Sequence, residues 1–507
     1  LTTFEVLGRR RPSERTESNE NAIIALSRSA ELLRVGEHYQ RCVETKAPQL
    51  VAVLGQAGMA KNQFSNCLAH RLGKQRVAIS LSTHCDEGVS GAPFQVLVDL
   101  LVQAAGTTDD FQSYLEGCAL QPQAIALLLH LMRLPPGRHG PPAALGDPSA
   151  MHHATLEAAR EWMRSLTRCG PLLVRIHNLH NAPDATLDLL AHLAESPDLP
   201  LFLLVTSKMS QGDEHWVSQL PLSDTITLEA LDADVSRQVA AYMLRPMDPP
   251  SPELVESIAI SSGGNPGFME ESVRALLAQG FLIETSKWTL KDNTVPSPLP
   301  IPDTVGRMIQ VRVDGLSPHS KLILQHAAIV GPRFDSQLLS LFEEGDEAQS
   351  ASAIDEALRE PVRAGLLSVY EAGSGKAAEY RFRPAMVRDE VYKTVVAKQR
   401  RQWHERYAEL LRLNTLALTS PQAATMEDLA GHVMRSGQYW EAAKLYRKAG
   451  DAAAEVFANS DARQQYELAH TALQAATGPS STERAEVLRL LARMLALGGE
   501  HQQAQDR

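Results

Sequence analysis

A short apolar run, a glycine turn and a helix follow one another near the start of the chain. Residues 49–54, all apolar except Gln49, form a run that ends at Gly55, and residues 61–72 carry a helical pattern. The residues from the end of the apolar run to the start of the helix are Gly55-Gln56-Ala57-Gly58-Met59-Ala60-Lys61-Asn62. This order is typical of a phosphate-binding loop, in which the turn and the helix N-terminus direct backbone N–H groups at a phosphate. A glycine turn can also precede a helix without any ligand, so the motif alone leaves both interpretations open.

Two positions of this loop depart from the phosphate-binding pattern. Ala60 stands where the last glycine is expected, and its methyl group disfavours a positive φ. Asn62 stands where a serine or threonine hydroxyl would hold Mg²⁺, and an amide oxygen is a poor substitute. We therefore predict Gly55, Gly58, Lys61 and Asn62 as the phosphate side of a site that holds ATP or ADP weakly.

Strands and helices alternate over the first part of the chain, which predicts βαβ units and a mainly parallel sheet. The further strands are predicted at 77–81, 171–176 and 199–206, and the helices at 95–133 and 152–168. The third strand ends at His177 and Asn178. Neither residue carries the negative charge that Mg²⁺ prefers in its ligands, so we do not expect Mg²⁺. A lone histidine at a strand end is more often structural than a ligand of a transition metal.

Helices dominate the remaining sequence, and we expect the strands to stop at Leu228. Beyond about residue 425, small residues such as Ala442 and Ala449 stand between bulky ones. Tetratricopeptide repeats show this pattern, because small residues let antiparallel helices approach closely. The period is irregular, and a plain helical bundle remains an alternative.

Composition excludes several classes of protein. The net charge of −11 gives no support for a nucleic-acid surface, and the basic clusters at 9–11 and 398–401 are interpreted as solvated. The five cysteines are widely spaced, which argues against a metal site or a disulfide framework and favours a reducing cytoplasm. No apolar run reaches the roughly 18–20 residues of a membrane helix. Leu1 in place of methionine suggests a fragment.

Residues 171–190 closely resemble the third-strand signature of the signal-transduction ATPases with numerous domains, the STAND class of AAA-like P-loop ATPases. His177 and Asn178 stand at that signature's two acidic positions. The resemblance continues through the strand ending near Lys208 and the turn Gly263-Gly264-Asn265-Pro266-Gly267. It implies that Lys208 replaces an arginine phosphate sensor and that Pro266 lies near the adenine.

The same resemblance extends to at least residue 475. Winged-helix motifs of the family are matched at 299–305, 312–317, 325–334 and 380–389, where Pro384 replaces a histidine. The implied fold is an α/β P-loop NTPase core with a parallel sheet, then all-α helical and winged-helix-like segments, then TPR-like repeats. We predict a linker at 1–22, the NTPase-like domain at 23–227, a helical subdomain at 228–300, a winged-helix-like segment at 301–412 and helical repeats at 425–507, where the array is expected to be truncated.

The first residues resemble the segment that joins a bacterial class III adenylate or guanylate cyclase to such an ATPase. The implied function is a regulatory, signal-transducing module with a degenerate site and no catalysis of its own, since a cyclase would lie upstream of Leu1. The alternatives are the ATP-binding region of a LuxR-type transcription regulator or of a protein kinase, and a pure interaction scaffold. The expected partner is a protein or small effector at the helical repeats, without nucleic-acid or membrane contact.

Overall fold

The computed structural model describes most of the chain. The described residues are 21–73, 79–85, 94–106, 111–132, 134, 139–140, 148–208, 215–284, 287–291, 305–342, 350–370, 378–383, 386–412, 426–455, 459–476 and 481–497. The molecule divides into two compact units, which are described separately. The first comprises 1–84, 163–180 and 193–300, and the second comprises 85–162, 181–192 and 301–507.

A five-stranded parallel sheet forms the centre of the first unit. Its strands are β1 (Gln49–Gly55), β2 (Ile79–His84), β3 (Leu172–His177), β4 (Leu201–Lys208) and β5 (Asp224–Thr227). They lie in the order β2-β3-β4-β1-β5, and every neighbouring pair is parallel. Because the carboxyl ends of parallel strands meet at one edge, the ends of β1, β3 and β4 lie together. The predicted parallel α/β sheet is confirmed.

The strand boundaries differ from those expected from sequence. β2 extends to His84 rather than Leu81, and β4 extends to Lys208 rather than Thr206. Residues 77 and 78, where we expected the second strand to begin, lie outside the described residues. The sequence reading missed β5, because only one of its four residues is buried and the strand therefore shows no apolar run.

The helices of the first half of the chain separate the strands. They are α1 (Ser29–Thr45), α2 (Lys61–Gly73), α3 (Gln95–Ala105), α4 (Phe111–Gly117), α5 (Pro122–Leu131), α6 (Pro148–Leu166), α7 (Asp184–Ala194) and α8 (His215–Gln219). The helical stretch expected at 95–133 is divided into three separate helices, the last of which begins with a proline after Gln121. Proline is favoured in the first helical turn, where its missing N–H is not needed.

One face of the sheet packs on α1 and α2. Alternate strand residues such as Val51, Val53 and Leu204 form a buried cluster with Phe64 of α2. Tyr39 of α1 and Phe202 of β4 belong to the same cluster and make an edge-to-face contact with ring centroids 5.7 Å apart. Burying this much apolar surface fixes α2, and therefore the loop before it, against the sheet.

A helical subdomain follows the sheet within the first unit. It contains α9 (Ala233–Met243), α10 (Pro252–Ser261), α11 (Pro266–Ala278) and a hairpin of β6 (Leu282–Glu284) and β7 (Trp288–Leu290). The three helices begin with side-chain caps: Asp232, Ser251 and Asn265 each accept a hydrogen bond from the backbone N–H three residues further on. Such caps satisfy N–H groups that the helix itself leaves unpaired.

The second unit contains short strands as well as helices. Its elements from residue 305 to 412 are α12 (Val305–Asp314), α13 (Pro318–Val330), β8 (Arg333–Asp335), α14 (Ser336–Phe342), α15 (Ala351–Arg363), β9 (Leu367–Tyr370), β10 (Glu379–Phe382), α16 (Met386–Thr394) and α17 (Ala397–Arg412). The three strands form an antiparallel sheet in the order β8-β10-β9. The expectation that strands stop at Leu228 is therefore wrong, because strands of three or four residues are too short to show a period in sequence. Pro384 lies outside the described residues.

Four antiparallel helices form the C-terminal part of this unit. They are α18 (Met426–Ser436), α19 (Tyr439–Glu455), α20 (Asn459–Ala475) and α21 (Ser481–Leu497). Alanines fill the core between them, and Ala430, Ala442 and Ala469 are fully buried. At Gly450, an added Cβ would lie 2.6 Å from the ring of Tyr466, so close helix approach requires the glycine.

α17 belongs to two apolar clusters of the second unit. Tyr407, Leu410 and Leu411 pack in the cluster formed by the preceding elements of this unit, α12 to α16, whereas Ala408 packs with the four C-terminal helices. α17 therefore packs with both parts of the unit, and the predicted boundary between residues 412 and 425 falls after this helix. Among the described residues, no helix combines the length and the apolar character needed to cross a membrane.

Candidate nucleotide site

The loop at residues 55–62 lies between the end of β1 and the start of α2. β1 ends at Gly55, and α2 begins at Lys61. Within the loop, the N–H of Met59 donates to the carbonyl of Gln56 at 3.3 Å, which closes a turn. The first N–H groups of a helix have no partner within the helix, so the N-terminus of α2 presents donors and a positive dipole end at the carboxyl edge of the sheet.

Two residues of the loop adopt left-handed backbone conformations. Gly58 has a φ of +83° and Ala60 a φ of +60°. A glycine adopts such angles freely, whereas an alanine does so at a cost in free energy. Ala60 therefore keeps the backbone angle that the missing glycine would hold, although its own side chain opposes it.

Lys61 is partly buried, and its ammonium group contacts the loop itself. Its Nζ donates to the carbonyl of Gly55 at 2.7 Å and to that of Gln56 at 2.9 Å. Burial, and then the nearby positive charge of Lys208, lower the pKa of Lys61 to about 8. A phosphate oxygen carries more negative charge than these carbonyl oxygens, so an anion here would compete well for the ammonium group.

Asn62 belongs to a neutral hydrogen-bonded chain at the carboxyl edge of the sheet. The hydroxyl of Thr206 donates to Oδ1 of Asn62 at 3.5 Å, and the same hydroxyl oxygen lies 3.2 Å from Nδ1 of His177. His177 is only 2% exposed, and its ring lies 4.6 Å from that of His84. Neither His177 nor Asn62 therefore brings a negative charge to this edge of the sheet, and Oδ1 of Asn62 already accepts a hydrogen bond from Thr206.

Asn178, at the second acidic position, adopts a φ of +61°. Asparagine tolerates this left-handed conformation better than most residues. Just beyond it, Nδ1 of His180 accepts a hydrogen bond from the backbone N–H of Lys208 at 3.3 Å. The segment after β3 is thus tied to the end of β4 through a histidine ring. Among the described residues, no group of three or more His, Cys, Asp or Glu side chains is arranged to hold a metal.

Lys208 lies at the end of β4, directly beside the start of the loop. In the parallel pairing of β1 and β4, Gly55 and Lys208 are register partners. Lys208 is exposed, and its charge acts on Lys61. The structure thus places Lys208 at the carboxyl end of β4, and Lys61 at the start of α2, after the loop that follows the neighbouring strand β1.

Pro266 is buried at the start of α11, and the N-terminus of this helix contacts the loop. The N–H of Gly267 donates to the carbonyl of Gly58 at 3.0 Å. Nδ2 of Asn265 donates to the carbonyl of Ala57 at 3.1 Å, while Oδ1 of Asn265 caps α11 by accepting from the N–H of Phe268 at 3.2 Å. An added Cβ at Gly58 would lie 2.5 Å from Oδ1 of Asn265.

The roles of Asn265 and Gly267 were missed by sequence reasoning, which singled out only Pro266 in this turn. The available signal was an asparagine directly before a proline at the start of a helix, which is typical of a helix cap. That signal identifies the cap but does not show that the same side chain reaches a loop about 200 residues away in sequence. Of the six predicted site residues, four lie within the loop, Lys208 lies beside its start, and Pro266 lies between two residues that contact it, Asn265 and Gly267.

Residues 26–205 match the family described as AAA ATPase domain. An uncharacterized protein of Rhizobium meliloti (strain 1021) is 27% identical over 357 residues, which are 69% of this chain and 32% of that protein. The chain therefore spans about a third of the length of the curated relative it matches.

Solved structures were also compared. The Aeropyrum pernix ORC1 protein, solved in complex with DNA, is 13% identical with a TM-score of 0.33, covering 72% of this chain and 92% of that one. Cdc6p from Pyrobaculum aerophilum is 12% identical with a TM-score of 0.33, covering 77% of this chain and 97% of that one. No functional conclusion follows from similarities at this level.

Proposed function

We propose that the AAA ATPase domain of this chain, over residues 26–205, binds ATP or ADP without hydrolysing it and acts as a regulatory module. One observation carries the proposal: the phosphate loop keeps its geometry and its lysine, while neutral residues occupy the positions that hold magnesium in an active site. The loop lies between β1 and α2, and His177 and Asn62 join through Thr206.

Binding is supported by the groups that remain at the loop. Lys61 supplies a positive charge, and α2 supplies the N–H groups of a helix N-terminus. The hydrogen bonds from Gly267 and Asn265 hold the outer side of the loop in place. A preformed loop loses less conformational entropy when it binds a ligand, which favours affinity.

The absence of hydrolysis follows from the side chains at the end of β3. Phosphoryl transfer depends on charges that stabilise the transition state and on a group that orients the attacking water. His177 and Asn178 supply no negative charge to hold a magnesium ion. Electrostatic stabilisation of this kind contributes about 3–4 kcal/mol for even one group, so its loss reduces the rate by orders of magnitude.

The first prediction concerns binding and turnover of the purified chain. A fluorescent ATP analogue should bind saturably, and Lys61→Ala should weaken the binding at least about tenfold, because one charge-assisted contact is lost. Phosphate release from ATP with Mg²⁺ should stay at the level of a buffer blank. Lys448→Ala, at an exposed lysine of α19, serves as the matched control and should bind like the unchanged chain.

Two results would refute the proposal. One is a lack of saturable binding by a chain with intact circular dichroism. The other is robust magnesium-dependent turnover that disappears in Lys61→Ala. The first result would remove the nucleotide from the proposed function, and the second would restore an active ATPase.

We further propose that the module belongs to a cytoplasmic signalling protein, with an adenylate or guanylate cyclase domain upstream. The support is the resemblance of the first residues to the segment that joins such a cyclase to its ATPase. Most of those residues lie outside the described part of the chain. A LuxR-type regulator or a protein kinase with the same ATPase is the alternative. The wide spacing of the five cysteines in the sequence supports a reducing compartment.

A second candidate function is a TPR-like array that binds a protein partner or a small effector. The support is the antiparallel stack of α18 to α21 with its alanine-filled core. Arrays of this kind expose extended surfaces, because each helical pair contacts only its neighbours. This function needs no nucleotide, so it would remain if binding at residues 55–62 proved absent.

A further inference from the structure

Two lysines lie beside the turn of the phosphate loop. Lys61 begins α2, and Lys208 ends β4 as the register partner of Gly55. Burial and then Lys208 lower the pKa of Lys61, and no acidic group among the described residues raises it. Two positive charges so placed repel each other and favour an anion between or beside them.

The residues at the family's magnesium position do not fit that ion. Mg²⁺ requires oxygen ligands, carboxylates above all, in a near-octahedral arrangement. The end of β3 offers His177 instead, and its Nδ1 bonds to Thr206, whose hydroxyl in turn donates to Asn62. Oδ1 of Asn62, at the position where an active loop has a hydroxyl group, therefore already accepts a hydrogen bond.

A magnesium ion in an active phosphate site neutralises the charge of the β- and γ-phosphates. Here the acidic ligands are missing and a second lysine stands at the end of the neighbouring strand. Lysine acts on phosphate as a compact point charge and does not require a fixed geometry. The pair of Lys61 and Lys208 can therefore supply, from the protein itself, the positive charge that a metal supplies elsewhere.

We propose that the site binds a nucleoside di- or triphosphate free of metal, with Lys208 and Lys61 together neutralising its phosphates. This inference rests on the proposed function and specifies its ligand. It makes Lys208 a residue that determines specificity for the free nucleotide over its magnesium complex. Excess Mg²⁺ then acts as a competitor, because it withdraws the nucleotide into a complex whose charge the two lysines no longer match.

The test uses the full chain and a fluorescent ADP analogue, titrated with EDTA and then with excess Mg²⁺. We expect affinity in EDTA to equal or exceed that in Mg²⁺. Lys208→Ala should weaken binding in EDTA at least about tenfold, the loss expected for one charge-assisted contact. Lys208→Arg should retain most of the affinity, since it keeps the charge. Lys448→Ala remains the control, and the exposed position of Lys208 makes misfolding of its variants a minor concern.

A second readout follows from the titration of Lys61. Its pKa of about 8 means that a fraction of the free site is uncharged at pH 8. A bound phosphate favours the charged form, so binding at pH 8 takes up protons, and affinity falls as the pH rises from 7 to 9. Calorimetry in buffers of different ionisation enthalpy measures this uptake directly.

The outcomes separate this inference from the function on which it rests. Binding that requires Mg²⁺, or that is unaffected by Lys208→Ala, would overturn the metal-free site while leaving nucleotide binding intact. Binding without proton uptake at pH 8 would also overturn the part assigned to Lys61. If the unchanged chain bound no analogue under either condition, the proposed function itself would fail.

Discussion

Ala60 carries a backbone conformation that its side chain disfavours. Its φ of +60° lies in the left-handed region, where an L-residue other than glycine costs roughly 1–2 kcal/mol. The conformation persists because α2 is packed on the sheet on one side of the loop, and Asn265 and Gly267 hold the other side. Strained backbone of this kind often occurs at functional sites, where the surrounding structure fixes it.

The prediction at the residue scale is that Ala60→Gly stabilises the first unit. Relief of the left-handed alanine outweighs the extra flexibility of glycine in the unfolded chain, leaving a gain of about 0.5–1 kcal/mol. Native-state hydrogen exchange measures this gain as an increase in the free energy of opening of the β1 amides. Ala69→Gly, inside α2, is the control and should destabilise by about 1 kcal/mol. A loss of stability in Ala60→Gly equal to that of the control would show that the loop is unstrained.

At the scale of elements, α20 carries a buried carboxyl group. Asp461 is 1% exposed, and its Oδ2 has no hydrogen-bond partner. Burial, and then the carboxylates of Asp184 and Asp188 on α7 and of Glu427 on α18, raise the pKa of Asp461 to about 8, although a hydrogen bond from the Asp184 backbone opposes this rise. The folded chain therefore keeps this proton over a range in which the unfolded chain has lost it.

This protonation sets the sign of a pH effect. Between the ordinary carboxyl pKa and about 8, the folded state binds more protons than the unfolded state, so stability falls as the pH rises. From pH 6 to pH 8 this group costs the wild-type chain about 2 kcal/mol. Asp461→Asn resembles the protonated acid and keeps an oxygen for the Asp184 N–H. It should therefore gain about that amount relative to wild type over the same range, measured by urea unfolding followed by helical circular dichroism.

A histidine pair provides a control of opposite sign for this measurement. Nδ1 of His404 lies 2.9 Å from Nδ1 of His432, and Nε2 of His404 bonds to the hydroxyl of Tyr392 at 2.8 Å. Burial, and then the nearby arginines, lower the pKa of His404 to about 3. The unfolded state binds the extra proton here, so stability is lost as the pH falls below about 6.5. His404→Gln should therefore become more stable relative to the wild-type chain as the pH falls below about 6.5.

For the prediction at Asp461, a constant difference in stability between Asp461→Asn and the wild-type chain from pH 6 to pH 8 would rule out a buried protonated carboxyl.

At the scale of the whole molecule, we ask whether the first unit would hydrolyse ATP if its loop and the end of β3 carried the residue types of an active site. The quadruple variant Ala60→Gly, Asn62→Ser, His177→Asp and Asn178→Asp returns the glycine, the hydroxyl and both acids. We expect it to hydrolyse ATP with Mg²⁺, because the loop already connects β1 to α2 and Lys61 already begins that helix. The rate of phosphate release by this variant is compared with that of the same variant carrying Lys61→Ala. The difference measures the hydrolysis that depends on the loop lysine.

A folded quadruple variant without activity would decide against this expectation. It would favour the interaction scaffold and assign any regulatory role to the helical array of α18 to α21. Because His177 and Asn62 share a hydrogen-bonded chain, the substitutions are coupled and should be made together rather than singly.

The sequence by itself determined the parallel sheet and the position of the phosphate loop. The largely apolar runs at 49–54 and 171–176 form strands that are mostly buried. A strand that is buried on both faces has apolar residues at consecutive positions, so it can be recognised from the sequence. The substitutions at Ala60, Asn62, His177 and Asn178 were equally visible, since a missing charge or hydroxyl is a property of residue type.

Tertiary structure alone decided what those substitutions do. Asn62 and His177 are far apart in sequence, and only the pairing of β3 with β4 brings both to Thr206. Asn265 reaches Ala57 because α11 folds back onto the loop, and β5 exists because β1 offers it an edge. Contacts between residues that are distant in sequence depend on how the whole unit packs, so local residue patterns do not predict them.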